Sequence, residues 1–150
     1  HIIQLLDQLI GEGRLKLDPT VITVPVTYHD PCSLARKEGL AEEARRVLKA
    51  FIRDFREMNP NRKVNYCCGG GGGFIAMPEY SKIRIEAKGQ RKAEQIRATG
   101  AQIVAVPCHN CMDQINDVTL HFKLGTSNRH ICSLVEEALI MPPRKKGNIS

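Results

Sequence analysis

The residues of this chain best suited to chemistry are its cysteines. Six occur in 150 residues, and five of them fall into three groups: Cys32, the adjacent pair Cys67 and Cys68, and the Cys-x-x-Cys unit of Cys108 and Cys111. Cys32 is followed after 34 residues by Cys67, and 39 residues separate Cys68 from Cys108. Thiolates in such sets bind soft metals, hold iron–sulfur clusters or exchange with disulfides. Three disulfides in a secreted protein would also use six cysteines, but the chain length, the lack of a visible signal peptide and the vicinal pair argue against that. Structural zinc uses Cys-x-x-Cys plus a second pair, yet it takes four ligands and the groups here offer one, two and two. A thioredoxin-like dithiol would explain Cys108 and Cys111 and leave three cysteines idle. Haem attachment is excluded locally, because Met112 stands where that motif needs His. A cubane cluster takes four thiolates, so either one of the five is spare or the cluster is unusual.

For these groups to act together, secondary structure must bring them to one place. The apolar residues switch between helical and strand-like period several times, which predicts an α/β fold with a mainly parallel sheet flanked by helices. The pattern predicts helices over about 1–12, 40–57, 79–99, 109–123 and 132–140. It predicts strands over Val21 to Tyr28, Lys63 to Tyr66 and Ala101 to Val106, with a loop around Gly125 to Asn128. In the second helix, Leu40, Ala44, Val47, Leu48, Phe51, Ile52 and Phe55 form one stripe. Ser133 and Glu136 have capping-box spacing for the last helix. Each cysteine group then lies just past a predicted strand and near a helix or turn. The carboxyl ends of parallel strands share one edge, where such folds bind ligands, so the cysteine site is expected there. Helix starts favour anions and should lower thiol pKa values.

The neighbours of the cysteines carry weaker signals. Gly69 to Gly73 tolerate the backbone turn that a vicinal pair needs, and Gly69 and Gly70 would allow close approach of inorganic sulfur. A phosphate-loop reading of the glycines fails because no Gly-Lys-Ser/Thr follows. His29 and His109 flank ligand candidates and could donate protons to a leaving thiolate, or simply bond the loop backbone. Asn110 is expected to turn the Cys-x-x-Cys loop. Cys132 lies outside the pattern and reads as a buried free thiol.

The whole arrangement, Cys32, Cys67-Cys68-Gly69 and Cys108-x-x-Cys111, resembles the CCG (cysteine-rich) domain of heterodisulfide reductases and their relatives. Tyr28-His29-Asp30-Pro31-Cys32 and Val106-Pro107-Cys108-His109-Asn110-Cys111 resemble the family's flanking segments. The glycine run with Phe74 and Met77-Pro78-Glu79 is most similar to the DsrK-type subunit of sulfur-metabolism redox complexes. The resemblance implies a noncubane 4Fe–4S cluster held by Cys32, Cys67, Cys68, Cys108 and Cys111, and an oxidoreductase that reduces or forms a disulfide. It further implies a substrate on a small sulfur-carrier protein of the DsrC type and electrons from partner subunits of a membrane-associated complex. Residues 1–150 would be one such domain, at the C-terminal end of a longer iron–sulfur subunit. A relay subunit of a flavin-dependent lactate-, glycolate- or glycerol-phosphate-oxidising complex and a zinc-stabilised interaction domain are the alternatives.

Composition narrows the rest. A formal charge of +6 raises nucleic acid as a partner, but most basic residues share helical faces with acids, as in Glu42, Glu43, Arg45, Arg46 and Lys49. Nucleic-acid binding is therefore not expected, and positive charge would also offset anionic thiolates. Arg144 to Lys146, after Pro142 and Pro143, reads as a solubilising tail. No run approaches the ~18 apolar residues of a membrane span, so the expected location is cytoplasmic, at the inner membrane face through partner subunits.

Overall fold

The structure is a computed structural model, and it describes residues 1–141; the basic run at Arg144 to Lys146 lies outside the described residues. Four parallel strands form one sheet: β1 (Val26–Tyr28), β2 (Phe55–Arg56), β3 (Ile103–Val106) and β4 (Ser127–His130), in the spatial order β2-β1-β3-β4. Among the described residues, five α-helices accompany them: α1 (Ile2–Gly11), α2 (Glu42–Lys49), α3 (Gly89–Thr99), α4 (His109–His121) and α5 (Ile131–Ala138). The predicted α/β class is what forms.

Strand β3 shows how the layers are built. Its side chains alternate between faces: Ile103 and Ala105 join one apolar cluster with Ile3, Val47, Leu48, Ile131 and Leu134, drawn from α1, α2 and α5. Val104 and Val106 face a second cluster with Ile96 of α3, Ile115 of α4, and the site residues Cys68 and Cys111. The sheet is thus covered on both faces, and β3 is buried throughout. This explains why Ile103 to Val106 reads as a continuous apolar run rather than an alternating one.

The chain leaves β1 through α2 on one face and leaves β3 through α4 on the other. Strands β1 and β3 are neighbours, so their onward connections diverge between them. That divergence opens a crevice at the carboxyl ends of the strands.

Several local expectations are corrected. Helix α2 stops at Lys49, not near residue 57: Phe51 and Ile52 still enter the core, but Phe55 turns back as β2 and pairs with Val26. The apolar stripe continues because the turn and the strand bury the same face. Of Val21 to Tyr28 only Val26–Tyr28 is strand, beginning just after Pro25, as the missing N–H of proline requires. Lys63 to Tyr66 is no strand; a short 3-10 turn at Arg62–Val64 replaces it, with Arg62 at φ 58°. Ser127–His130, whose first two residues fall in the expected loop around Gly125 to Asn128, is edge strand β4, half-exposed and hence polar. The α5 cap is His130, whose ring accepts from the Cys132 amide at 3.3 Å, in place of the Ser133 and Glu136 box. The predicted 79–99 helix forms as a 3-10 turn (Pro78–Tyr80), a π-helical stretch (Ile83–Lys88) and α3, closed by left-handed Gly100.

Candidate metal centre

Cys32 ends the loop after β1 and sits at the start of a π-helical turn, Ser33–Glu38. Cys108 follows β3 as the N-cap of α4, and Cys111 lies in the first turn of that helix. Cys67 and Cys68 arrive differently, on an irregular loop after the 3-10 turn. Side-chain hydrogen bonds, rather than sheet pairing, hold that loop. The Arg36 guanidinium donates to the Lys63 carbonyl at 2.8 Å and to the Asn65 carbonyl, and the Arg62 amide donates to Asp30 Oδ2 at 2.7 Å. Asn65 Nδ2 donates to the Asp30 carbonyl at 2.9 Å, and its Oδ1 accepts from buried Lys92 of α3 at 3.1 Å.

The glycines after the pair serve backbone geometry and packing. Gly69 has φ +96°, and a Cβ there would lie 2.9 Å from Lys88 Cβ. A Cβ on Gly70 would meet Gln114 Cβ at 2.8 Å and the Asn110 carbonyl at 3.2 Å. Gly70 therefore lets the loop seat directly on α4.

All five cysteines, with Ser33, Gly70 to Gly72 and Asn110, line one cavity of about 190 Å³ at this edge of the sheet. Cys68 and Cys111 are buried and their sulfurs are 3.4 Å apart; the Gly69 amide donates to Cys67 Sγ at 3.4 Å. None of the cysteines is in a disulfide. Cys132 lies apart, half-buried against the cluster of α1, α2 and α5.

Electrostatics in the cavity run against the expectation of acidic thiols at Cys67 and Cys68. The thiol of Cys68, bonded to Cys111 and buried, is pushed up to about 12, and that of Cys67 is raised by the neighbouring Cys68 and by burial. Crowded thiols resist ionising because each new thiolate would face another sulfur in a desolvated space. A bound cation reverses that balance, so metal uptake must release protons.

His29 is a sequence candidate from its position beside Cys32. The structure buries it completely, with a ring nitrogen and the sulfurs of Cys68 and Cys111 within 4.8 Å of one another. Its Nε2 is buried and has no hydrogen-bond partner among the described residues, while Nδ1 is 3.5 Å from Asn65 Nδ2. Buried polar atoms without partners are rare in native proteins. The orphan nitrogen beside a thiol-lined cavity fits a site built around a bound inorganic group. Burial, aided by the nearby Lys92 charge, holds the imidazole pKa well below 6.5. The unfolded ring therefore takes up a proton that the folded ring refuses, and stability rises with pH below 6.5. Urea unfolding of iron-free protein between pH 5 and 6.5 should show a slope contribution approaching ~1.4 kcal/mol per pH unit. That contribution should vanish in His29→Gln. His109 is exposed at the first position of α4 and is absent from the cavity lining.

Sequence reasoning missed Asn65, Lys92, Arg36 and the Asp30–Arg45 pair. Asp30 is legible only as part of the lead-in to Cys32. Lys92 carries no signal, because a buried ammonium on a helix reads as one more solvated charge.

Fold and site together define a three-layer α/β module with a five-thiol cavity at the switch point between two parallel strands. Residues 26–116, which contain all five cysteines, match the family model described as a cysteine-rich domain, and the chain belongs to this CCG family. The dihydromethanophenazine:CoB–CoM heterodisulfide reductase of Methanosarcina barkeri has a subunit 33% identical over 141 residues, 93% of this chain and 33% of that protein. A probable membrane-anchored ferredoxin of Chromohalobacter salexigens is 37% identical over 118 residues, 79% of this chain and 17% of its own length. An EtfAB:quinone oxidoreductase of Syntrophomonas wolfei is 29% identical over 121 residues, 78% of this chain and 17% of that protein. The chain thus spans at most a third of the length of these relatives. No solved structure gives a significant match. Among the described residues, no helix is long and apolar enough to cross a membrane.

Proposed function

We propose that the chain is the cysteine-rich module of a longer iron–sulfur oxidoreductase subunit, and that Cys32, Cys67, Cys68, Cys108 and Cys111 hold its cluster. The observation that carries this is the gathering of five thiols around one cavity of about 190 Å³, one more than a tetrahedral zinc or a cubane uses. The excess suits the noncubane 4Fe–4S cluster that the family resemblance implies. Such a cluster supplies electrons one at a time, and reduction of a disulfide to two thiols takes two electrons and two protons.

The residues around the cavity have roles that follow from their placement. Exposed Cys67 and Cys32 face the opening, while buried Cys68 and Cys111 form its floor. Gly70 keeps the vicinal pair seated on α4, and Asn65 ties that pair to the Cys32 loop. His29, held neutral, offers a hydrogen-bonding nitrogen at the floor; His109 is the solvent-facing candidate for proton delivery. In this reading the substrate is a disulfide, as on a small sulfur carrier of the DsrC type, and electrons come from other subunits of a membrane-associated complex at its cytoplasmic face. The DsrK-type likeness belongs with the same proposal.

A second reading is electron relay without disulfide chemistry, in a flavin-dependent oxidising complex; the likeness to the EtfAB:quinone oxidoreductase favours it. A third is structural zinc, favoured by the close His29, Cys68 and Cys111 grouping. Protein prepared without oxygen distinguishes these. Iron and sulfide in similar amounts are expected; about one zinc per chain and no iron would remove the cluster. An electron paramagnetic resonance signal shifted by added thiol is the expected mark of disulfide chemistry, and a signal indifferent to thiol would leave relay.

A further inference from the structure

Beside the five-thiol cavity lies a larger one, of about 610 Å³, lined by Arg36, Tyr66, Cys67, Phe74, Lys88 and Arg91 among others. The two share Cys67 and Gly71. Cys67 is exposed, so a molecule whose sulfur reaches it from solvent leaves its remaining atoms in the larger cavity.

The charge of this cavity is one-sided. Three cations line it and no carboxylate does. Among the described residues, none of Arg36, Lys88 and Arg91 forms an ion pair, whereas Arg45, Arg46, Arg56, Arg62, Arg84 and Arg129 each do. The Arg36 guanidinium is held by the carbonyls of Lys63 and Asn65, which fixes its position without neutralising it. Arg91 lies over the Tyr66 ring at 6.0 Å from the centroid, again a contact that leaves the charge unbalanced. Lys88 rests its Cβ against Gly69, at the foot of the same loop. The walls between the cations are Tyr66 and Phe74, the latter stacked on Tyr80 at 4.8 Å.

We propose that this cavity is a substrate subsite that selects sulfur compounds bearing an anionic group a short carbon chain away from the sulfur, the anion being held by Arg36, Lys88 and Arg91. The inference rests on the disulfide-reducing reading above and supplies its substrate class. An anion here balances the cations, the carbon chain lies along Tyr66 and Phe74, and the sulfur meets Cys67. A carboxylate on a small free disulfide and the terminal carboxylate of a carrier segment share this chemistry.

The test uses redox-inert thioethers, so that binding is read without turnover. Iron-loaded and iron-free protein are titrated by NMR at low ionic strength with 3,3′-thiodipropionate, neutral 2,2′-thiodiethanol, and an S-methylcysteine peptide with a free or an amidated C-terminus. The dianion should bind about tenfold or more tightly than the neutral thioether, the size expected of two or three partly exposed charge contacts. In the double variant Lys88→Gln with Arg91→Gln, two exposed positions, the preference should disappear while iron content and unfolding midpoint stay at wild-type values. A preference for the free-terminus peptide over its amide assigns the subsite to a carrier segment; preference confined to the small dianion assigns it to a free disulfide. Equal affinity for dianion and neutral thioether, absence of binding by all probes, or a preference that survives the double variant overturns the inference. If the anion preference holds in protein that takes up no iron, the anion subsite stands and the iron–sulfur reading falls. Iron loading with no anion preference gives the opposite result.

Discussion

Replacing Cys68 or Cys111 with serine should strip the protein of most of its iron, whereas Cys132→Ser should retain it. The two buried thiols form the cavity floor with sulfurs 3.4 Å apart, and serine exchanges a soft thiolate for a hard, weakly acidic hydroxyl. Even changes one shell removed from a metal cost 10–100-fold in affinity, so loss of a ligand should weaken retention by at least ~100-fold. Cys67→Ser and Cys32→Ser, at the exposed side, should act in the same direction, as should Cys108→Ser. Cys132 packs in the other apolar cluster, apart from the one that holds Cys68 and Cys111, and does not line the cavity. Iron and sulfide analysis after anaerobic reconstitution and gel filtration reads the result. Full iron in the Cys68 and Cys111 variants would sink the five-thiol assignment.

The second large effect is on stability. Arg45 is 1% exposed and donates to both oxygens of Asp30 at 2.8 Å, to both oxygens of Glu57 at 2.7 and 2.8 Å, and to the Ala41 carbonyl at 2.7 Å. Burial opposes its charge, but the hydrogen bonds to Asp30 and Glu57 outweigh burial and its pKa is raised. Asp30 in turn joins the Cys32 loop to the Cys67 loop through the Arg62 amide and Asn65. Arg45→Ala leaves a buried carboxylate unpaired and should cost about 3–5 kcal/mol, a fall of roughly 10 °C in the unfolding midpoint. Arg46→Ala is the control. Its pair with Asp7 is exposed and should be worth less than ~1 kcal/mol. A loss of under ~1 kcal/mol in Arg45→Ala would show that the pair is dispensable. The same variant should lower iron retention, because Cys32 and Cys67 then lose their shared support.

Legibility differs between the parts of the site for definite reasons. Ile103 to Val106 can be read as a buried strand because both of its faces are covered and all four residues are apolar. Ser127–His130 cannot, since an edge strand exposes one side and borrows its order from β3. Phe55 reads as helical because a helical stripe and a returning strand can bury the same face. The five thiols and the turn after them are readable from spacing and from the glycines. The loop that delivers Cys67 and Cys68 is not, as its order comes from Asn65, Arg36 and Asp30, which are distant in the chain.

Sequence alone determined the chemistry available: five grouped thiols, glycines to fold the chain beneath them, and alternating apolar periods that specify a parallel α/β sheet. These are local properties of residue type and spacing. Tertiary structure decided which β-rich segments pair, that Lys92 and His29 are buried behind the thiols, and that three cations without ion pairs among the described residues collect beside Cys67. Those outcomes depend on burial and on contacts between distant segments, and burial is what turns an ordinary charge or imidazole into a perturbed one.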